Sequence, residues 1–224
     1  MTPAFGDRAL FGLEDRVRRW VEGLLHGKRL AHVRGTVEAA DRLARRHVPD
    51  SVEIVRVAAW LHDVARAWEP SDLLDHAKRR RLPILPSERE NPMLLHGAVG
   101  YDLAQEQLGF RDPRIETACR FHTVGAPGMT ATDKVLFLAD FVEPTRHYPD
   151  VDRLREEAEK GLDEAVLLAI DMSVTWLMEK QSIIDPRPLA LRNLLIRSGV
   201  RHEPWCDRSP SKPLEERHCL SQDI

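Results

Sequence analysis

From Leu13 to Ser198 the apolar residues recur at steps of three and four, and no stretch alternates at steps of two. A chain patterned this way buries its apolar stripes by packing helix on helix, so the expected fold is all-α, a helical bundle. The first stripe is Leu13, Val17, Trp20, Val21, Leu24 and Leu25. A second helix is expected from Arg29 to His47, with Ala31, Val33, Val37, Ala40, Leu43 and Ala44 turned inward and Pro49 ending it. The third runs from Ser51, a candidate N-cap, to about Trp68, and Pro70, Ser71 and Asp72 open a fourth that reaches Arg81. Three prolines make the stretch 82–92 a loop. Further helices are expected over 93–108, stopped by Gly109, and over 113–121, with Pro113 as first residue. Another spans 130–142, opened by Thr130 with Asp133 three later and closed by Pro144. The last two cover 152–180, interrupted near Gly161, and 188–198.

A chain of 224 residues has room for one substantial domain. The expected division is an N-terminal helical extension over 1–28, a main domain over 29–198, and a polar tail over 199–224. That tail holds Pro204, Pro210 and Pro213 and is expected to be disordered. Thirty-three Lys and Arg against 36 Asp and Glu leave a formal charge of −3, which argues against a protein whose work is gripping nucleic acid or acidic lipid. Cys119, Cys206 and Cys219 are too scattered for a disulfide framework, so a reducing compartment, the cytoplasm, is expected. The opening residues carry Asp7, Glu14 and Asp15 and do not read as a signal peptide. The apolar run 165–178 has 14 residues and contains Asp171, too short and too polar to cross a bilayer. Trp60, Trp68 and Trp176 fall in helical patterns and read as core.

Chemistry has to come from polar residues set inside apolar words. With ten histidines and 18 aspartates, roughly 0.8 His-Asp dipeptides are expected by chance, so His62–Asp63 means little as a pair. Its setting, VAAWLHDVA, means more, because two polar side chains buried there need a cation, a hydrogen-bond network or an open cleft. His32, His96, His122 and Asp140 pose the same question in LAHVRG, LLHG, CRFHTVG and VLFLADFV. Any one of them alone is most simply a satisfied core residue. Five helices each bringing such a residue inward form a different pattern, a bundle with a metal site in its core, and imidazole with carboxylate suits Fe, Mn, Co or Zn.

The order His32, His62–Asp63, His96, His122, Asp140 resembles the HD-domain metal-dependent phosphohydrolases with a two-metal centre. LLHG (94–97), HTVG (122–125) and MTATDKVLFLADFVEPTR (129–146) narrow the resemblance to the HD-domain symmetrical diadenosine tetraphosphatases of bacteria, over about Arg29 to Arg197. Two departures stand out. Arg66 replaces the usual Lys four residues after the motif histidine, which keeps the charge and changes its geometry. Asp185, in IIDPRP, replaces a histidine before the proline.

The resemblance implies two divalent cations, iron by preference, with manganese or cobalt able to substitute. It assigns His32, His62 and Asp140 to one, His96 and His122 to the other, and Asp63 to both. It implies diadenosine tetraphosphate as a nucleotide substrate, cut to two ADP. Asp63, Arg66 and Asp133 become the catalytic candidates, and Arg66, Thr123, Gly125, Asp133, Lys134 and Arg146 the substrate contacts. On a continuous helix Arg66 would overhang His62 and Asp63, and Asp133 would share a face with Asp140 two turns on. Gly125 would let backbone amides approach a phosphate. Three other readings stay open: an HD phosphohydrolase for nucleoside mono- or triphosphates or guanosine alarmones, a non-catalytic nucleotide-binding regulator, and a structural metal. The pattern leaves the oligomeric state open, a homodimer included, and implies neither nucleic acid nor membrane as partner.

Overall fold

A computed structural model describes residues 12–203. Residues 1–11 and 204–224, with most of the expected tail, lie outside the described residues. Among the described residues eleven α-helices follow one another, and no strand occurs. They are α1 (Leu13–Leu24), α2 (Gly27–His47), α3 (Val52–Leu61), α4 (Pro70–Arg80), α5 (Pro86–Glu90) and α6 (His96–Leu108). Then come α7 (Pro113–Phe121), α8 (Ala131–Val142), α9 (Val151–Lys160), α10 (Leu162–Glu179) and α11 (Pro186–Arg197). Short 3-10 turns fill Pro49–Ser51 and Pro92–Leu95. None of these helices is long and apolar enough to cross a membrane.

The helix ends have local causes. Asp112 caps α7 by accepting the Arg114 amide, with Pro113 in the first turn where its missing N–H costs nothing. Thr130 and Asp133 form a reciprocal capping box at α8, and Asp185 caps α11. Gly109 ends α6 in the left-handed region at φ 65.

Three expectations need correction. The third helix stops at Leu61, not near Trp68, and turns carry the chain through 67. His62 Nδ1 donates to the Ala59 carbonyl at 2.7 Å, the group a continuing helix would offer to the next amide. From there Val64, Arg66 and Trp68 bond three residues back instead of four. The proline-rich stretch is not all loop: Pro86 and Pro92 open α5 and a 3-10 turn. Ala31 faces solvent because it lies two residues, about 200°, from the buried Val33.

Helices α2, α3, α7 and α8 form the centre, with α1 on α3, α6 on α7, and α9 and α10 behind α8. One continuous core runs through Leu13, Leu43, Ile54, Leu61, Leu136 and Leu167, so α1 belongs to it. A smaller cluster of Ala65, Leu73, Leu95 and Val99 seats α4 against α6. Trp60 is core, and Trp68 and Trp176 are half-buried.

Gly97 decides how closely α6 meets α7. A Cβ there would lie 2.0 Å from the Cys119 carbonyl oxygen and 3.0 Å from the His122 ring. The obstacle is backbone, so it cannot rotate away. Gly97→Ala is expected to cost about 3 kcal/mol of stability and to spread His96 from His122. A denaturant melt checks this, and an unchanged midpoint would show that the two helices separate freely.

Candidate metal centre

All six of the polar residues set in apolar words meet at one place. His32 comes from α2, His62 and Asp63 from the turn after α3, His96 from the first residue of α6, His122 from the turn after α7, and Asp140 from α8. His32 Nε2 lies 3.3 Å from His62 Nε2 and 3.1 Å from Asp140 Oδ1. His96 Nε2 lies 3.0 Å from His122 Nε2. Between the pairs stands Asp63. Its Oδ2 faces His32 Nε2 at 3.6 Å and His62 Nε2 at 3.9 Å, while its Oδ1 faces His96 Nε2 at 3.2 Å and His122 Nε2 at 3.9 Å. One carboxylate thus presents one oxygen to each imidazole pair.

The opposite ring nitrogens decide what these imidazoles offer. His62, His96 and His122 each give Nδ1–H to the carbonyl three residues back, Ala59, Met93 and Cys119, at 2.7, 2.5 and 2.6 Å. His32 gives its own to Glu143 Oε1 at 3.1 Å. A proton fixed at Nδ1 leaves a lone pair at Nε2, the form that binds metals. Two lone pairs at 3.0–3.3 Å repel unless a proton or a cation lies between them. These separations match the edge of an octahedron with bonds of about 2.1 Å. The donor set of imidazole and carboxylate therefore fits divalent metal, and the cluster of His32, His62 and Asp140 brings its ligand atoms within 4.8 Å of one another.

Electrostatics agrees. Burial pushes the Asp63 carboxyl up, but His62 and His96 outweigh it and hold it well below the usual carboxylate range. Asp140 is likewise held down against burial, chiefly by Arg146 and then His32. Burial, reinforced by His96 and His62, takes His122 down to about 3, and burial lowers His62. Burial also works against a charged His32, yet Asp140 and Glu143 carry it up to about 9. A proton on His32 balances the carboxylates, and a metal ion taking its place must release it.

The proposed substrate contacts divide. Thr123 is at the centre, its Oγ1 3.1 Å from His122 Nε2 and 3.5 Å from His96 Nε2. Arg66 stands half-buried three residues after Asp63, and its guanidinium makes no hydrogen bond or ion pair among the described residues. Arg146 reaches the cluster as a clamp, giving Nη2–H to Asp140 Oδ1 at 2.7 Å and Nε–H to the Asp140 carbonyl at 2.9 Å.

Three others are engaged by neighbouring residues. Asp133 accepts from the Thr130 amide and hydroxyl and from the Thr117 hydroxyl, at 2.7, 2.8 and 2.9 Å, so its carboxylate builds the start of α8 and ties it to α7. Lys134 is paired with Asp163 of α10. Gly125 gives its amide to the Phe121 carbonyl at 2.8 Å, and a Cβ on it would meet Leu191 at 3.1 Å and Met129 at 3.4 Å. Its φ of +68 and this crowding explain the glycine without a phosphate.

Sequence reasoning passed over two residues. Glu143 reads as a surface glutamate at a helix end but is fully buried, with Oε2 2.5 Å from where a Cβ on Gly35 would sit. Arg29, one turn before His32, donates to Asp63 Oδ2. Its spacing from His32 was the available signal.

Comparisons with known proteins follow the same lines. A family model described as the HD domain matches residues 29–168. The chain is 34% identical over 168 residues to the symmetrical bis(5'-nucleosyl)-tetraphosphatase of Bacillus subtilis strain 168, covering 75% of this chain and 89% of that protein. It is 33% identical over 170 residues to the enzyme of that name from Halalkalibacterium halodurans, covering 75% and 89%. Against the Staphylococcus aureus enzyme of that name the figures are 28% over 170 residues, covering 74% and 86%. Among solved structures, an HD superfamily hydrolase from Clostridium acetobutylicum, described as involved in NAD metabolism, superimposes with a TM-score of 0.77 at 29% identity. It covers 82% of this chain and 97% of that one.

Proposed function

Since the chain belongs to the HD-domain family, alongside its symmetrical bis(5'-nucleosyl)-tetraphosphatases, we propose that it hydrolyses diadenosine tetraphosphate to two ADP at a centre of two divalent cations. The observation that carries this reading is Asp63, whose two oxygens face two separate imidazole pairs. His32, His62, Asp140 and Asp63 Oδ2 would hold one ion, and His96, His122 and Asp63 Oδ1 the other. Bound there, the pair would lower the pKa of a shared water toward neutrality and neutralise phosphate oxygens. Iron is the preferred metal on family likeness, with manganese or cobalt able to substitute on this nitrogen and oxygen donor set.

The chain's own residues prepare the rest. Arg146 fixes the Asp140 carboxylate, and Glu143 fixes the His32 ring and tautomer. Arg66, with no anionic partner among the described residues, supplies a guanidinium for a phosphate. The Thr123 hydroxyl, beside His96 and His122, supplies a donor to a phosphate oxygen. Water adds to the phosphorus second from one adenosine, the bridge to the third phosphorus breaks, and the leaving ADP keeps the bridging oxygen. Symmetry then requires a pocket that places an ADP-sized half at the cations. The residues assigned to the centre all lie within 29–198, with the helix Leu13–Leu24 packed on the same core, and the cytoplasm is where we place the reaction.

One chromatographic run tests this. Protein supplied with iron(II) or manganese is incubated with diadenosine tetraphosphate, and ADP alone is the expected product. ATP with AMP would overturn the symmetrical assignment, and uncut substrate with two bound metals would overturn the choice of substrate.

A further inference from the structure

Arg29 occupies an unusual position for a half-exposed arginine. Its side chain is 41% exposed, yet its Nη1 reaches Asp63, whose side chain is only 6% exposed. The oxygen it contacts is Oδ2, which also faces His32 and His62. Among the described residues this is the only hydrogen bond or ion pair the guanidinium makes. It therefore enters from the solvent side and covers the edge of Asp63 that a cation held by His32, His62 and Asp140 would need. A guanidinium and a divalent cation on one oxygen repel each other, and Arg29 has a long stem with nothing else tied to it among the described residues.

We propose that Arg29 is a phosphate ligand of the active site: cations displace it from Asp63, and its fork turns outward onto the polyphosphate they hold. The inference rests on the hydrolase reading for its substrate and on the Arg29–Asp63 contact for its geometry. The chemistry recognised is an oxygen pair of a nucleoside di- or polyphosphate, which a planar guanidinium meets with two parallel hydrogen bonds. Lysine keeps the charge and loses the fork.

The proposal makes two effects run in opposite directions. Without the guanidinium a competitor for Asp63 is gone, while the phosphate loses a ligand. The experiment uses full-length wild type, Arg29→Ala and Arg29→Lys. Each is titrated calorimetrically, first with manganese(II) after metal stripping and then, loaded with manganese, with ADP and with inorganic triphosphate. For Arg29→Ala, manganese affinity is expected to be equal to or tighter than wild type. ADP and triphosphate binding should weaken about 10- to 100-fold, with KM for the dinucleotide rising in parallel. Arg29→Lys should recover part of the loss.

Manganese affinity falling together with ADP affinity would overturn the proposal and make Arg29 a residue that merely positions Asp63. Unchanged ADP and triphosphate binding would overturn it as well. Because ADP and triphosphate report directly on Arg29, a wild type that leaves diadenosine tetraphosphate uncut would sink the substrate reading and not this one. A melting curve on each variant separates misfolding from lost binding, and Arg29→Lys carries the test if Arg29→Ala unfolds.

Discussion

Replacing Asp63 with alanine is expected to abolish turnover and to strip metal from the protein together. Its Oδ1 lies 3.2 Å from His96 Nε2 and 3.9 Å from His122 Nε2, and it is the carboxylate set within 4 Å of both among the described residues. Without it, that pair is two neutral imidazoles on a buried wall, a weak site for a hard divalent ion. The other set keeps His32, His62 and Asp140 and loses one of its four ligands. Metal content measured by elemental analysis should therefore drop to one ion or fewer per chain. If the two cations together supply several kcal/mol of transition-state stabilisation, turnover falls by at least about 10³-fold. Because His62 and His96 more than offset the burial of this carboxylate, its removal also costs stability, and a melting curve on Asp63→Ala separates lost folding from lost metal. Wild-type turnover with two tightly bound ions in Asp63→Ala would sink the two-metal model.

Glu143 should produce the second-largest loss. Three of the four imidazoles orient themselves on a carbonyl three residues back, where the chain is ending or starting a helix. His32 cannot do this, since it sits inside α2, where main-chain carbonyls serve the helix. Its Nδ1 is held instead by a carboxylate from the end of α8, which also accepts the Thr145 amide at 2.6 Å and the Thr145 hydroxyl at 2.5 Å. Glutamine in that place can turn its carbonyl to His32 only by pointing its NH₂ at the Thr145 amide, donor against donor.

Glu143→Gln is therefore expected to weaken metal binding about 10- to 100-fold, and Glu143→Ala to weaken it at least as much. Gly35→Ala should push in the same direction from the other side, because its Cβ would meet Glu143 Oε2 at 2.5 Å. The loss should appear in metal affinity and kcat, with KM little changed. Full metal affinity in both Glu143→Ala and Gly35→Ala would refute the positioning role.

Residues that speak for themselves locally were readable in advance. The helices followed from three- and four-residue steps, and Asp112–Pro113 and Thr130–Asp133 marked starts that the structure keeps. The six polar residues of the centre were conspicuous because each breaks an apolar word, which burial would penalise without a shared purpose. Local reasoning failed where a side chain had two uses at similar spacing. Asp133 shares a face with Asp140 on paper, but a capping box three residues long takes its carboxylate first. The third helix looked continuous, but the His62 ring takes the Ala59 carbonyl and turns the chain, leaving Arg66 off the helical register assumed for it.

Helix periodicity, caps and the identity of the inward polar residues belong to interactions within a few positions of one chain segment, so the amino-acid order carries them. Which oxygen of Asp63 meets which imidazole, that Glu143 is buried, and that Arg29 reaches Asp63 depend on how α2, α3, α6, α7 and α8 cross. His32 and Glu143 are 111 residues apart in the chain, and Arg29 and Asp63 are 34 apart. Those meetings are set by close approaches such as Gly35 beneath Glu143 and Gly97 against Cys119. A missing Cβ gives no periodic signal, and its effect exists only once the second helix is in place.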